Sequence, residues 1–90
     1  MLKIDIWPEA QEFLDSLAAK HKRQISAKIF TLAKDPLPPP SKVLAGFSLR
    51  RLRSGDYRIV YFIEGNVLKI VLIDRRNDDR IYRRLGRLFS

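Results

Sequence analysis

Residues 2–6 alternate Leu2, Ile4 and Ile6 with Lys3 and Asp5, the two-residue period of a half-buried strand. Pro8 follows and suits the first turn of a helix. Ala10, Phe13, Leu14, Leu17 and Ala18 then recur at i, i+3, i+4, i+7 and i+8, which is one apolar stripe along a helix. The polar stretch 20–23 interrupts that stripe. Ile25, Ile29, Leu32 and Ala33 restart the helical spacing and Asp35-Pro36 stops it, so the pattern predicts a helical hairpin. Pro36, Pro38, Pro39 and Pro40 fit neither a helix interior nor a central strand, which makes 35–42 a stiff extended connector rather than a docking peptide. Three strands are predicted next, at about 47–53, 57–63 and 67–75. Ser54-Gly55-Asp56 and Glu64-Gly65-Asn66 separate them with good hairpin-turn chemistry. Asn77, Asp78 and Asp79 offer a cap and favourable negative charge to a last helix ending near Leu88.

The order is strand, helical hairpin, three-stranded antiparallel meander, C-terminal helix. That predicts an α+β fold with the helices packed on one face of the sheet. Ninety residues make a single domain spanning 1–90, burying only about 60–65% of the surface its unfolded chain exposes. Cysteine is absent, which excludes a disulfide scaffold, a thiolate metal site and a Cys nucleophile. His21 is the sole histidine, so a His-centred triad or a multi-His metal site is excluded too. We expect neither a metal nor a cofactor. No apolar run approaches the roughly 20 residues a membrane helix needs. Asp5 and Glu9 stand where a signal peptide wants an apolar core. The expected location is cytoplasmic, with no membrane partner.

Charge changes the picture most. Eighteen Lys and Arg against ten Asp and Glu give a net charge of +8, and the excess is uneven. Residues 1–45 carry seven basic and five acidic side chains; residues 46–90 carry eleven and five, and ten of those eleven are arginines. The planar guanidinium fork suits phosphate, so the second half points to a phosphate-rich partner. A two-residue turn at Gly55 pairs Arg53 with Asp56 and sets Arg51 opposite Arg58. Like charges so placed destabilise a sheet unless an anion lies between them or the side chains splay into water. Arg75 and Arg76 end the last strand, and alternation lets only one of them share that face. A two-residue loop at Gly65-Asn66 selects Arg75; a loop that includes Glu64 selects Arg76. In the last helix Arg80, Arg83, Arg84 and Arg87 form one basic stripe, with Ile81, Leu85, Leu88 and Phe89 on another side. That stripe suits RNA, an acidic protein segment or plain solvent. Tyr57, Tyr61 and Phe62 alternate in a strand as packing residues. Tyr82 sits between the stripes, as a residue at the rim of the packing. The basic run 20–23 reads as a solvated turn between the helices.

Leu44-Ala45-Gly46, the segment from Arg51 to Tyr61 (RLRSGDYRIVY), Asp74-Arg75-Arg76 and Ile81-Tyr82 together resemble the RelE family of the RelE/ParE toxin superfamily. The resemblance spans essentially the whole chain. It implies the toxin of a type II toxin–antitoxin pair, a metal-independent endoribonuclease cleaving mRNA in the 30S A site of the ribosome. An acidic cognate antitoxin would silence it, the toxin alone being a monomer or joining that antitoxin in a hetero-oligomer. It also implies catalytic roles for Arg51, Arg58, Arg76 and Tyr82, favouring Arg76 over Arg75 and hence a longer loop or bulge at Gly65. Arg51 and Arg58 would clamp the scissile phosphate, Tyr82 would take the 2′-OH proton, and Arg76 would stabilise the leaving 5′-oxygen. Arg53, Arg75, Arg80, Arg83, Arg84 and Arg87 would bind RNA. Leu49 stands where some members carry a lysine, and Arg50 occupies a position of core parity. The competing expectation is a ParE-like toxin that shares the fold and poisons DNA gyrase by binding it; a third is a basic domain that only binds RNA.

Overall fold

A computed structural model of the chain describes residues 1–44, 46–75 and 77–89, with Asp78 described by its backbone alone. The elements are β1 (Lys3–Ile6), α1 (Pro8–Asp15), α2 (Ala19–Lys34), β2 (Lys42–Val43), β3 (Arg50–Ser54), β4 (Tyr57–Glu64), β5 (Val67–Arg75) and α3 (Asp78–Leu88). The strands form one five-stranded sheet in the order β1-β5-β4-β3-β2. β1 runs parallel to β5, and every other neighbouring pair is antiparallel. The class is the expected α+β. β2 was not foreseen: two exposed residues behind a proline run carry no alternation, yet they pair with Arg50 and Arg51 and extend the sheet edge.

The helices do not share one face, contrary to the expectation from element order. Ala10 and Leu14 of α1 and Ile25, Ile29 and Leu32 of α2 pack with Leu52, Ile59, Tyr61, Leu68, Ile70 and Ile73. Ile81 and Leu85 of α3 pack with Leu44, Leu49, Val60, Val71 and Leu72 on the other side. The two sets alternate along β4 and β5, so the sheet is the middle of three layers. The physical reason lies in β5, whose run Ile70-Val71-Leu72-Ile73 is buried throughout. A strand apolar at consecutive positions must be covered on both faces.

The helical hairpin breaks at 16–18 rather than at 20–23. Lys20 to Arg23 form the opening turns of α2, because His21 stands four residues before Ile25 and continues its inward stripe. Lys22 Nζ reaches back 2.8 Å to Asp15 Oδ1 and ties the two helices across their turn. That lysine, with a hydrogen bond from Gln11, holds the Asp15 carboxyl below its ordinary pKa.

The proline connector is anchored from beneath. Tyr61, fully buried, donates its phenol hydrogen bond to the Pro36 carbonyl at 2.7 Å. Arg50, on the same pleat face, donates to the Ser41 hydroxyl at 2.9 Å and to its carbonyl at 3.3 Å. We expect Tyr61→Phe to cost about 1–2 kcal/mol, since the carbonyl of Pro36 loses its donor and the ring keeps its packing. A urea midpoint identical to the parent would show that the connector holds without this bond.

Candidate functional site

Two loops set the register that arranges the charged side chains. Gly55 and Gly65 adopt left-handed φ of 58° and 61°, and each opens a two-residue loop. The first pairs Ser54 with Tyr57, so Arg53 faces Arg58 and Arg51 faces Val60. The expected pairing of Arg51 with Arg58 is therefore wrong by two residues. Because the error is even, the faces survive: Arg51, Arg53 and Arg58 still project to the side that α3 covers.

The second loop is the two-residue form, pairing Glu64 with Val67. Tyr61 then pairs with Ile70 but Val60 with Leu72, so Val71 is an extra residue and the parity of β5 switches. The longer loop or bulge expected at Gly65 is therefore not found there; the bulge lies six residues beyond it, at Val71. Its effect is to pair Tyr57 with Arg75 and Arg58 with Asp74. Arg75 thus lies on the α1/α2 face, its guanidinium carbon 5.7 Å from the Tyr57 ring centroid. Arg76 lies outside the described residues.

Across the sheet runs the row Arg53, Arg58, Asp74. Arg58 is 7% exposed, and its Nη1 donates 3.2 Å to the Tyr57 carbonyl. Asp74 is 1% exposed and serves as the hub of the region. Its Oδ1 accepts from the Arg75 backbone N–H at 2.7 Å. Its Oδ2 meets Arg84 Nη1 at 2.9 Å and Arg80 Nε at 3.1 Å. Arg84 also reaches Glu9 of α1 at 3.2 Å. Burial opposes the Arg84 charge, but the hydrogen bonds to Asp74 and Glu9 outweigh it and hold its pKa above the ordinary arginine value. A buried carboxylate thus offsets the repulsion between the facing arginines and fastens α3 to β5.

The expected basic stripe divides accordingly. Arg80 and Arg84 are engaged by Asp74, while Arg83 and Arg87 face outward; the four line a shallow recess of about 710 Å³. The Asn77 side chain accepts from the Arg80 N–H at 3.0 Å, the anticipated cap. Tyr82, one turn into α3, is half-buried, its ring centroid 6.0 Å from that of Phe47. Arg51 is half-buried and Arg53 exposed. The structure therefore brings Arg51, Arg53, Arg58 and Tyr82 to one side of the sheet and sends Arg75 to the other. Leu49 is buried beneath α3 and fills the position of the missing lysine with core.

Asp74 is the residue that sequence reasoning missed. Its signal was present: it is the sole acidic side chain within the strand run 67–75, immediately before two arginines.

The sequence matches the family described as ParE toxin of type II toxin-antitoxin system, parDE, over residues 4–80. Among solved structures, the archaeal RelE–RelB complex from Pyrococcus horikoshii OT3 is similar at 27% identity and a TM-score of 0.74, covering 84% of this chain and 96% of that one. The intact RelBE toxin–antitoxin complex of E. coli follows at 21% identity and 0.73, covering 86% and 99%. A chromosomal ParDE system from P. aeruginosa shares the fold at 16% identity and 0.75, covering 86% and 98%. A search of curated protein sequences returns no match.

Proposed function

The chain belongs to the ParE toxin family of type II toxin–antitoxin systems, within the RelE/ParE superfamily, and from that premise we propose that it is an endoribonuclease acting on mRNA in the ribosomal A site. The observation that carries this reading is the gathering of Arg51, Arg53 and Arg58 on the sheet face against which α3 packs Tyr82. A gyrase-binding surface has no need of a half-buried tyrosine on the same side of the sheet as a buried Arg58 and a half-buried Arg51. A scissile phosphodiester does.

In the proposed reaction Tyr82, acting as the phenolate, accepts the proton of the ribose 2′-OH, and the 2′-oxygen bonds to phosphorus. Arg51 and Arg58 stabilise the charge that builds on the phosphoryl oxygens. The P–O5′ bond breaks, leaving a 2′,3′-cyclic phosphate and a 5′-oxygen that takes up a proton. Such preorganised charge is the strongest lever available to a site of arginines. Arg76 is assigned to the leaving oxygen on the resemblance alone. Arg53, Arg83 and Arg87 would hold flanking phosphates, and Arg80 and Arg84 would contribute field while bound to Asp74. As partner we propose an acidic antitoxin, supported by the toxin–antitoxin complexes among the similar structures. It would lie across the outward arginines of α3 or along α2, where Phe30 is 55% exposed.

A gyrase-binding toxin is the second reading, favoured by the ParE description of the family itself. One induction experiment separates the two. Brief expression should arrest growth and yield mRNA cut at positions locked to the reading frame, with 2′,3′-cyclic ends. Double-strand breaks in DNA with intact mRNA would transfer the protein to the gyrase reading, and harmless expression without an antitoxin would remove the partner.

A further inference from the structure

Tyr82 is the first ring of a continuous aromatic row on the α3 side of the sheet. Its neighbour Phe47 lies 6.4 Å from Phe89, Phe89 lies 5.7 Å from Trp7, and Trp7 lies 6.0 Å from Phe62, centroid to centroid. Each pair is tilted or edge-on, and none is a parallel stack. Part of the row is ordinary packing, since Trp7, Phe47, Phe62 and Tyr82 all rest against the core beneath α3. Phe89 is different. It is 45% exposed, at the end of the helix.

Phe89, Phe47 and Phe62, with Gly46, Ser48 and Leu49, wall a recess of about 400 Å³. That is the size of a small-molecule pocket, too small for a partner helix. None of the six side chains is charged. The β2–β3 loop that carries Phe47 is pinned: the Leu44 N–H donates to the Leu49 carbonyl at 2.9 Å, and the Phe47 N–H to the Leu44 carbonyl at 3.2 Å. Gly46 turns that loop at a φ of 82° and adds no side chain to the wall.

An apolar recess suits an aliphatic side chain as well as a planar ring, and here its position decides. Phe47 belongs to two features at once, because it lines the recess and neighbours Tyr82. Tyr82 and Phe89 are seven residues apart, hence on one face of the helix and about 10 Å apart along it. Exposed Arg83 and Arg87 flank that line. A polymer with phosphates along its backbone and planar groups hanging from it meets both the cations and the rings. Aromatic walls beside a cationic track are the usual means of holding a single strand.

We propose that this recess receives a nucleobase of single-stranded RNA, one that flanks the phosphodiester held at Arg51 and Arg58. The inference rests on the ribonuclease reading for the identity of the polymer. Its rings take no part in the bond-breaking step.

Trp7 is the sole tryptophan and packs against two rings of the wall, so its indole N–H gives a single reporter signal. The test titrates the ¹⁵N-labelled full chain with 2′-O-methyl hexaadenylate, which lacks the attacking hydroxyl, and with an abasic backbone of the same length and charge. Hexaadenylate should shift the Trp7 indole and the Gly46 and Ser48 amides with one saturating constant. The abasic chain should leave those three signals still and move only amides of α3. Phe89→Leu keeps apolar bulk without a π-face. It should weaken hexaadenylate about tenfold, the loss of one stacked base, and leave the abasic constant unchanged. Phe89→Trp should bind as the parent does. An abasic chain that shifts Trp7 equally, or a parental hexaadenylate constant in Phe89→Leu, would overturn the assignment. So would a recess that answers a glutamate-rich peptide and not hexaadenylate, which would give it to a protein partner. The ribonuclease reading fails separately: base-dependent Trp7 shifts in a chain that leaves mRNA intact on induction would keep the recess and remove the cleavage.

Discussion

Asp74→Ala will remove about 3 kcal/mol of folding stability or more, because it leaves buried cations without their counter-ion. The carboxylate is the shared counter-ion of Arg84 and Arg80 and the cross-strand partner of Arg58. Arg80 is 54% exposed and can turn into water, so its share of the cost is small. Arg84 is 16% exposed and Arg58 buried, and these two are left as desolvated cations. A domain of this size has roughly 5–13 kcal/mol in total, so the variant should unfold at a much lower urea concentration. Asp74→Asn keeps an acceptor for the Arg75 N–H but not the charge, and should fall between the variant and the parent. Glu9→Gln should cost under about 1 kcal/mol, because that pair is half-exposed. Loosened α3 should also expose Arg83 and Arg87 to trypsin before the sheet unfolds. An Asp74→Ala midpoint within error of the parent would mean that α3 is held by Ile81 and Leu85 alone.

Much of this arrangement was readable from residue order, and the failures have definable causes. The span 67–75 coincides with β5, since a nine-residue stretch with six apolar positions between Gly65-Asn66 and Asn77 has few alternatives. The Asn77 cap and the end near Leu88 followed from cap chemistry and the Arg/Leu stripes. The shared face of Arg51, Arg53 and Arg58 survived a register error because pleat parity repeats every two residues. Two hairpin registers around Gly55 satisfy the same glycine, and the one adopted buries Ser54 and Tyr57 on the α1/α2 side. The side of Arg75 depended on the bulge at Val71, an insertion within a uniform run of β-branched and leucine residues that marks no position of its own. The distribution of helices over both faces was written in that same run, in which alternation is absent. Element order alone could not convey it.

The second large effect concerns the proposed chemistry. Tyr82→Phe should lower single-turnover cleavage of ribosome-bound mRNA by about 10²–10⁴-fold, the contribution typical of a positioned general base. The change removes one oxygen and keeps the ring beside Phe47, so the variant should stay folded, which its circular dichroism checks. Arg51→Ala should cost about 10²–10³-fold, in line with loss of one donor to a developing phosphoryl charge. Arg51 is the better probe of that charge than Arg58, whose burial beside Asp74 would mix a folding defect into the rate. The two losses should combine less than additively if both groups act on one transition state, and the double variant measures that coupling. Full activity in Tyr82→Phe would strip the tyrosine of its role and leave the arginine cluster as a binding surface only.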